Sequence, residues 1–239
     1  MQSEDFFTTS ELAKVLGISR VAVFKKIQTG AIKAQKMGRN FVIYKKDIMN
    51  ISPNNLFQLA YDWLTLDKKF PQEFYCQNSS EFQARLIKME SFLMQNKSVE
   101  NIACLIVSIA GEIGDNSFAH NLGQWPDTPG IFFAYDLRRK QIVLADRGLG
   151  VLKTLKKIKP SLKNHAQALR SAFTEIISGR SPEARGNGLK FVRKIVSENH
   201  IDLFFQSGNS QLEMQGGSPE LKITKAAKSF RGCLALISF

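Results

Sequence analysis

Cysteine is scarce. The three residues Cys76, Cys104 and Cys233 lie far apart among 239 residues with no Cys-x-x-Cys pair, so neither a disulfide framework nor a zinc cluster can be built from them. Long apolar runs are also missing. The longest, around residues 102–110, is too short to cross a bilayer, and the first thirty residues lack the charged, apolar and small-residue zones of a signal peptide. A cytoplasmic protein with no membrane partner is expected. Internal repeats and low-complexity tracts are absent too. What is present is an ordinary globular balance of 44% apolar and 23% charged residues, which excludes disorder throughout and suits one large domain or two small ones.

Acidic residues are the scarcer charge. Thirty-three Lys and Arg against 21 Asp and Glu leave +12, which favours polyanionic partners: nucleic acid, nucleotides or an acidic protein surface. The charge is uneven, about +5 over residues 1–50, about 0 over 51–99 and about +7 over 100–239. Two basic modules joined by a neutral connector are expected, with boundaries at 1–50, 51–98 and 99–239.

In the first module, Thr8 and Glu11 stand at capping-box spacing, and Leu12, Val15 and Leu16 follow at helical intervals before Gly17. Ser19 can cap a second helix, in which Val23 and Ile27 recur at i, i+4 and which stops near Gly30. Two short helices meeting at a glycine turn have helix-turn-helix spacing, and the second would enter a major groove. Residues 31–35 and 41–44 then flank Lys36-Met37-Gly38-Arg39-Asn40, which reads as a β-hairpin with a basic tip. Residues 8–48 thus resemble the excisionase/MerR-like winged helix-turn-helix domains, with Gly17-Ile18-Ser19-Arg20 leading into the recognition helix. The resemblance implies that Ser19, Arg20, Ala22, Lys25 and Lys26 face DNA and that Arg39 on the wing reaches phosphate or a minor groove. Cations supply phosphate affinity, and small Ala22 permits close approach to base edges. A protein-docking role for the same module stays open.

A break at Ile51-Ser52-Pro53-Asn54-Asn55 marks the boundary. Two apolar stripes follow, Leu56, Leu59, Ala60, Trp63, Leu64 and then Phe82, Leu86, Met89, Leu93. They are expected to pack on the third segment; a homodimer interface is the alternative use.

The last segment carries three boxes. From Val99 a long helix is expected, with Glu112, Asn116 and His120 at i, i+4, i+8 along one stripe. Gly111 and Gly114 beside them suggest a ligand or strand in close approach. A carboxylate and an amide one turn apart can hold hydrated Mg²⁺ and orient or deprotonate a water. Next, apolar runs at residues 131–135 and 141–145 read as strands, the second ending in Asp146-Arg147-Gly148-Leu149-Gly150. An Asp there can accept from an exocyclic amine, and the glycines let backbone pass close to a flat base. Third, the loop Ser178-Gly179-Arg180-Ser181-Pro182-Glu183-Ala184-Arg185-Gly186-Asn187-Gly188 opens an amphipathic helix through Leu189, Val192, Ile195 and Val196, a phosphate-cradling arrangement. It is neither the P-loop nor the dinucleotide fingerprint.

In this order and spacing the boxes resemble the ATP-binding domain of the GHKL family, which gyrase and histidine kinases share with the anti-sigma-factor serine kinases. The resemblance implies an α+β protein whose C-terminal part is a Bergerat-type α/β sandwich, with a largely antiparallel sheet backed by helices. It implies Asn116 as Mg²⁺ ligand, Glu112 as the base acting on water or a hydroxyl, and Asp146 as adenine reader. Gly148 and Gly150 would shape the adenine pocket, Arg185, Gly186, Asn187 and Gly188 would meet the phosphates, and residues 152–185 would form a mobile lid. Gly232-Cys233 stands where the family has Gly-Thr, and no phosphoacceptor histidine module precedes the domain, so autophosphorylation is not expected. The combined expectation is a regulator that binds Mg²⁺, ATP and DNA, with ATP binding or slow hydrolysis switching DNA or partner binding. The alternatives are a protein serine/threonine kinase acting on a partner protein, and a nucleotide-binding scaffold without turnover.

Overall fold

Strand alternation at the centre of the chain sets the architecture. In β5 (Ile131–Asp136) Phe133 and Tyr135 point to one core cluster while Phe132 and Ala134 point to another, and in β6 (Gln141–Asp146) Ile142 and Leu144 oppose Val143 and Ala145 in the same way. Both faces of the sheet must therefore be covered. A computed structural model describes residues 6–16, 18–30, 32–38, 40–44, 56–66, 74–176 and 188–239, and shows how.

The chain is α+β, with two antiparallel sheets and eight α-helices among the described residues. The N-terminal module runs β1 (Phe6–Thr8), α1 (Thr9–Leu16), α2 (Arg20–Gln28), β2 (Gln35–Met37) and β3 (Asn40–Tyr44), its sheet ordered β1-β3-β2. After α3 (Leu56–Leu66) come β4 (Tyr75–Cys76), α4 (Ser79–Met94), a 3₁₀ turn (Glu100–Ile102), α5 (Ala103–Asn121), β5 and β6. The chain ends with α6 (Val151–Lys156), α7 (His165–Thr174), α8 (Gly188–Glu198), β7 (Asp202–Met214) and β8 (Lys222–Ser238), giving a second sheet in the order β4-β5-β6-β8-β7.

One face of the larger sheet carries α4, α5, α7 and α8 through buried Phe82, Leu86, Ile106, Ile109, Leu169, Phe173, Val192 and Val196. The other is covered by α3, through Leu56, Ala60, Trp63 and Leu64, and by the N-terminal module, through Phe7, Leu12, Ile18, Val23 and Ile43. Leu59, placed on the apolar stripe by its spacing, is instead 36% exposed. Arg138 from the β5–β6 turn lies over the Phe7 ring, 5.1 Å from its centroid.

Local signals explain the helix starts. The Thr8 hydroxyl accepts from the Glu11 N–H (3.2 Å) while the Thr8 N–H donates to the Glu11 carboxylate (2.8 Å), a capping box. Ser19 Oγ caps α2 by accepting from the Ala22 N–H at 3.1 Å, and Asn78 Oδ1 caps α4 by accepting from the Glu81 N–H at 3.0 Å.

Several expectations need correction. The first hairpin strand is Gln35–Met37 rather than residues 31–35, because Met37 pairs with Asn40 and the turn tightens around Gly38 at φ +61°. Gly111 and Gly114 face no ligand: a Cβ at Gly114 would sit 2.2 Å from the Phe82 ring and one at Gly111 3.3 Å from Leu86 Cδ2, so they let α4 close onto α5. The apolar run at 102–110 belongs to a longer stretch, Glu100–Asn121, which by length and composition alone suffices to cross a membrane; here Ile106, Ile109 and Ile113 pack in the core. Much of the expected lid is core as well, since Leu162, Ala168, Leu169 and Phe173 are buried; its portion 177–185 lies outside the described residues.

Candidate functional site

Helix α6, the second half of α5, the end of β6 and the interior of β8 line a pocket of about 80 Å³ that opens to solvent. Ile113, Val151, Leu155, Leu189 and Phe205 supply apolar walls, and Asn116, Ser117, His120, Asn121, Asp146, Thr154 and Cys233 a small polar set. An apolar cleft with a few convergent polar groups is the usual form of a small-ligand site.

Asp146 is the most constrained of these groups. It ends β6, 2% exposed, paired across the sheet with Cys233 of β8 and Ile131 of β5. Its Oδ1 accepts from the Gly148 N–H at 2.8 Å and its Oδ2 from the Ser117 hydroxyl at 2.9 Å. Burial pushes its carboxyl up to about 6, partly offset by hydrogen bonds from the Gly148 N–H, Ser117 and Cys233. Burial, then the Asp146 charge, pushes the Cys233 thiol well above its ordinary range. The arrangement holds a buried carboxylate at the floor of a largely apolar pocket, suited to a neutral donor such as an amine.

Close approaches around this floor explain the glycines. A Cβ on Gly148 would fall 2.1 Å from the Asn121 amide, whose Oδ1 accepts from the Leu149 N–H at 2.7 Å. Gly150, at φ +75°, opens α6. The Ser207 hydroxyl holds that turn, accepting from the Val151 N–H and donating to the Gly232 carbonyl, both at 3.0 Å. Gly232, at φ +94°, brings β8 so close that a Cβ would lie 1.8 Å from the Asp146 carbonyl oxygen.

The third box meets the first. A Cβ at Gly188, the first residue of α8, would lie 2.1 Å from Glu112 Oε2 and 3.3 Å from Asn116 Nδ2. Glu112 is half-buried, and desolvation, then the neighbouring Asp115, raises its carboxyl above the usual range, the direction a general base requires. Among the described residues no group of three His, Cys, Asp or Glu side chains gathers to hold a metal.

The structure thus brings Asn116, Asp146 and Gly150 to one cavity, with Gly148 packed against its wall and Gly188 bridging to Glu112. Arg185, Gly186 and Asn187 lie outside the described residues. Within the expected lid, Lys153 and Lys156 are exposed and Lys157 donates to the Gln124 side chain. Ser117, Asn121, Ser207 and Cys233 join the site unanticipated as pocket partners. Ser117 and Asn121 repeat at i, i+4, a usable signal, whereas Ser207 lies on a distant strand that nothing in its own neighbourhood announces.

The loop after Asp146 is clamped from the opposite side of the sheet. Arg147 lies over the Trp63 ring of α3, 5.8 Å from its centroid, and Arg147 and Arg231 reach the same Asp127 carboxylate at 2.9 and 2.6 Å.

A second concavity lies on the N-terminal side. Ser19, Ala22, Lys25 and Lys26 of the α2 region line it together with Arg85 and Lys88 of α4. Arg20 is exposed on the same helix, and Arg39 lies outside the described residues. Ser19 spends its oxygen on the α2 cap, which makes helix initiation its first role. Compared with family models and with curated proteins, the chain matches none.

Proposed function

We propose that the chain is a nucleotide-switched DNA-binding regulator, with a GHKL-like, Bergerat-type ATP site over residues 99–239 and a winged helix-turn-helix reader over residues 1–50. The observation that carries this reading is the convergence of three separated boxes on one pocket: Asp146 buried at its floor, Asn116 on its wall, and Gly188 against Glu112 and Asn116. In this reading Asp146 accepts from the adenine amino group, Gly148 and Gly150 give the base room, and the start of α8 faces the phosphates.

The residues fit Mg²⁺ only as a nucleotide-borne ion. No described cluster would hold a bare cation, but the Asn116 amide on the cavity wall can complete the shell of an ion already ligated by phosphate and water, as Mg²⁺ prefers. When bound, it would neutralise phosphate charge. Glu112, raised by burial, would accept the proton of an attacking water or of a partner protein's hydroxyl. DNA contact would come from Arg20, Ala22, Lys25, Lys26 and Arg39.

The test is calorimetric titration with ATP, with and without Mg²⁺, on the wild type and on Asp146→Asn. Binding that needs Mg²⁺ and is at least tenfold weaker in the variant is expected; a wild type that binds no ATP overturns the nucleotide reading. Glu112→Gln should then abolish any turnover while leaving ATP affinity unchanged.

A further inference from the structure

The concavity between α2 and α4 has one basic wall from each of two modules. Lys25 and Lys26 stand on α2, Arg85 and Lys88 on α4, and they line a common cavity of about 570 Å³ together with Tyr135. None of the described residues lining it is acidic. Helix α4 belongs to a segment, residues 51–99, whose formal charge is about 0; the fold places two of that segment's cations opposite the α2 lysines. The backing is firm, because Phe82, Leu86, Met89 and Leu93 on the other side of α4 are buried. Lys88 is exposed, and its ammonium lies 5.9 Å from the centroid of the Phe92 ring.

We infer that Arg85 and Lys88 form the second wall of a phosphodiester-binding cleft, so that the α4 face holds one DNA backbone while α2 reads the adjoining major groove. The inference rests on the proposed DNA-binding role of α2 and adds a contact surface from the connector segment that follows the N-terminal module. The geometry follows from the duplex. A helix lying in a major groove is flanked on each side by a sugar-phosphate strand, and a surface facing that helix across a cleft meets one of those strands. Two cations there neutralise phosphates in any sequence, supplying affinity rather than base readout. Because α4 closes onto α5 at Gly111 and Gly114, this wall is attached to the helix that carries Glu112 and Asn116.

The test uses the full chain, with and without Mg²⁺ and ATP, titrated against fluorescently labelled random-sequence duplex DNA over a series of salt concentrations. Each phosphate neutralised contributes about 0.9 to the slope of log affinity against log salt, so Arg85→Gln/Lys88→Gln should lower the slope by about 1.8 and weaken binding roughly 30-fold at about 0.15 M salt. Calorimetric ATP affinity should stay unchanged. Lys88→Glu, a single change at an exposed position, should weaken DNA binding by at least the fivefold or so expected of one lost contact, with an unchanged melting temperature showing that loss of the Phe92 contact is not the cause. Wild-type slope and affinity in both variants, with Lys25→Ala still weakening binding, would overturn the α4 wall and leave the α2 reading standing. A wild type that binds no DNA in either nucleotide condition would remove both. Binding of a polyglutamate peptide in place of DNA would assign the cleft to an acidic protein and overturn the inference.

Discussion

The pocket around Asp146 and the cleft between α2 and α4 use charge in opposite ways. In the pocket a single carboxylate is 2% exposed and already engaged by Ser117 and Gly148. Around the cleft, cations stand apart on two helices, with Lys25 and Lys88 exposed to solvent. A buried charge is little screened, so geometry decides its effect and one substitution can erase the site. Exposed charges are screened and individually weak, so the cleft acts by summation and responds to salt. On the proposed function, the first region would recognise a defined small molecule and the second would grip a repeating polyanion.

The largest effect should come from Asp146→Asn, which replaces one carboxylate oxygen by a donor facing the amine. Loss of a hydrogen bond to a charged group costs about 1.5–3 kcal/mol, so calorimetry should register ATP binding weakened by at least tenfold. The same variant relieves a buried charge, and the unliganded protein should be at least as stable at pH 7.5 by thermal melting. A gain in ATP affinity would break the contrast outright.

Next in size is Gly114→Ala, which severs the close fit joining the two regions. Its Cβ would meet the Phe82 ring at 2.2 Å, and overpacking of this kind costs about 1–3 kcal/mol. Thermal melting should fall by several degrees, about 2–4 °C for each kcal/mol in a chain of this length. An unchanged melting point would mean that α4 is not held against α5 as described.

pH sharpens the comparison further. Because burial lifts the Asp146 carboxyl to about 6 in the folded state from a reference of 3.8, its stabilising contribution is complete below about pH 4 and is lost as pH rises through 6. Ligand binding should run the other way. If the ionised form is the acceptor, ATP affinity at pH 5 should be about tenfold below its plateau at neutral pH, and Asp146→Asn should flatten that profile. Salt should do little here and much at the cleft. The smallest effect belongs to one exposed cation: Lys25→Ala should weaken DNA binding about fivefold at about 0.15 M salt and reduce the salt slope by about 0.9.

Local chemistry was readable where it is local in physics. The Thr8–Glu11 capping box, the Ser19 cap and the buried stripe Phe82, Leu86, Met89, Leu93 follow from spacing along one helix, and the structure shows each of them. Strands β5 and β6 were legible because both are continuous apolar runs. Elements whose partners are remote were not. β1 and β4 are short and pair with strands far along the chain, and the long β7–β8 hairpin mixes exposed and buried stretches. The glycines show the same division. Gly148, Gly150 and Gly188 sit at the pocket or against its residues, whereas Gly111 and Gly114, identical in local appearance, make room for α4.

By itself the sequence determined the starts of α1 and α2, the basic character of both ends, the apolar strands at residues 131–146, and which chemical groups were on hand: Glu112, Asn116, Asp146 and their glycines. Those depend on nearest neighbours and on the periods of helix and strand, which are written along the chain. Only the tertiary structure decided that Ser117, Ser207 and Cys233 surround Asp146, that Gly188 abuts Glu112, and that α4 faces α2 across a cleft. These relations join residues tens of positions apart. They are set when both faces of one sheet are buried at once, a packing condition that no single segment carries.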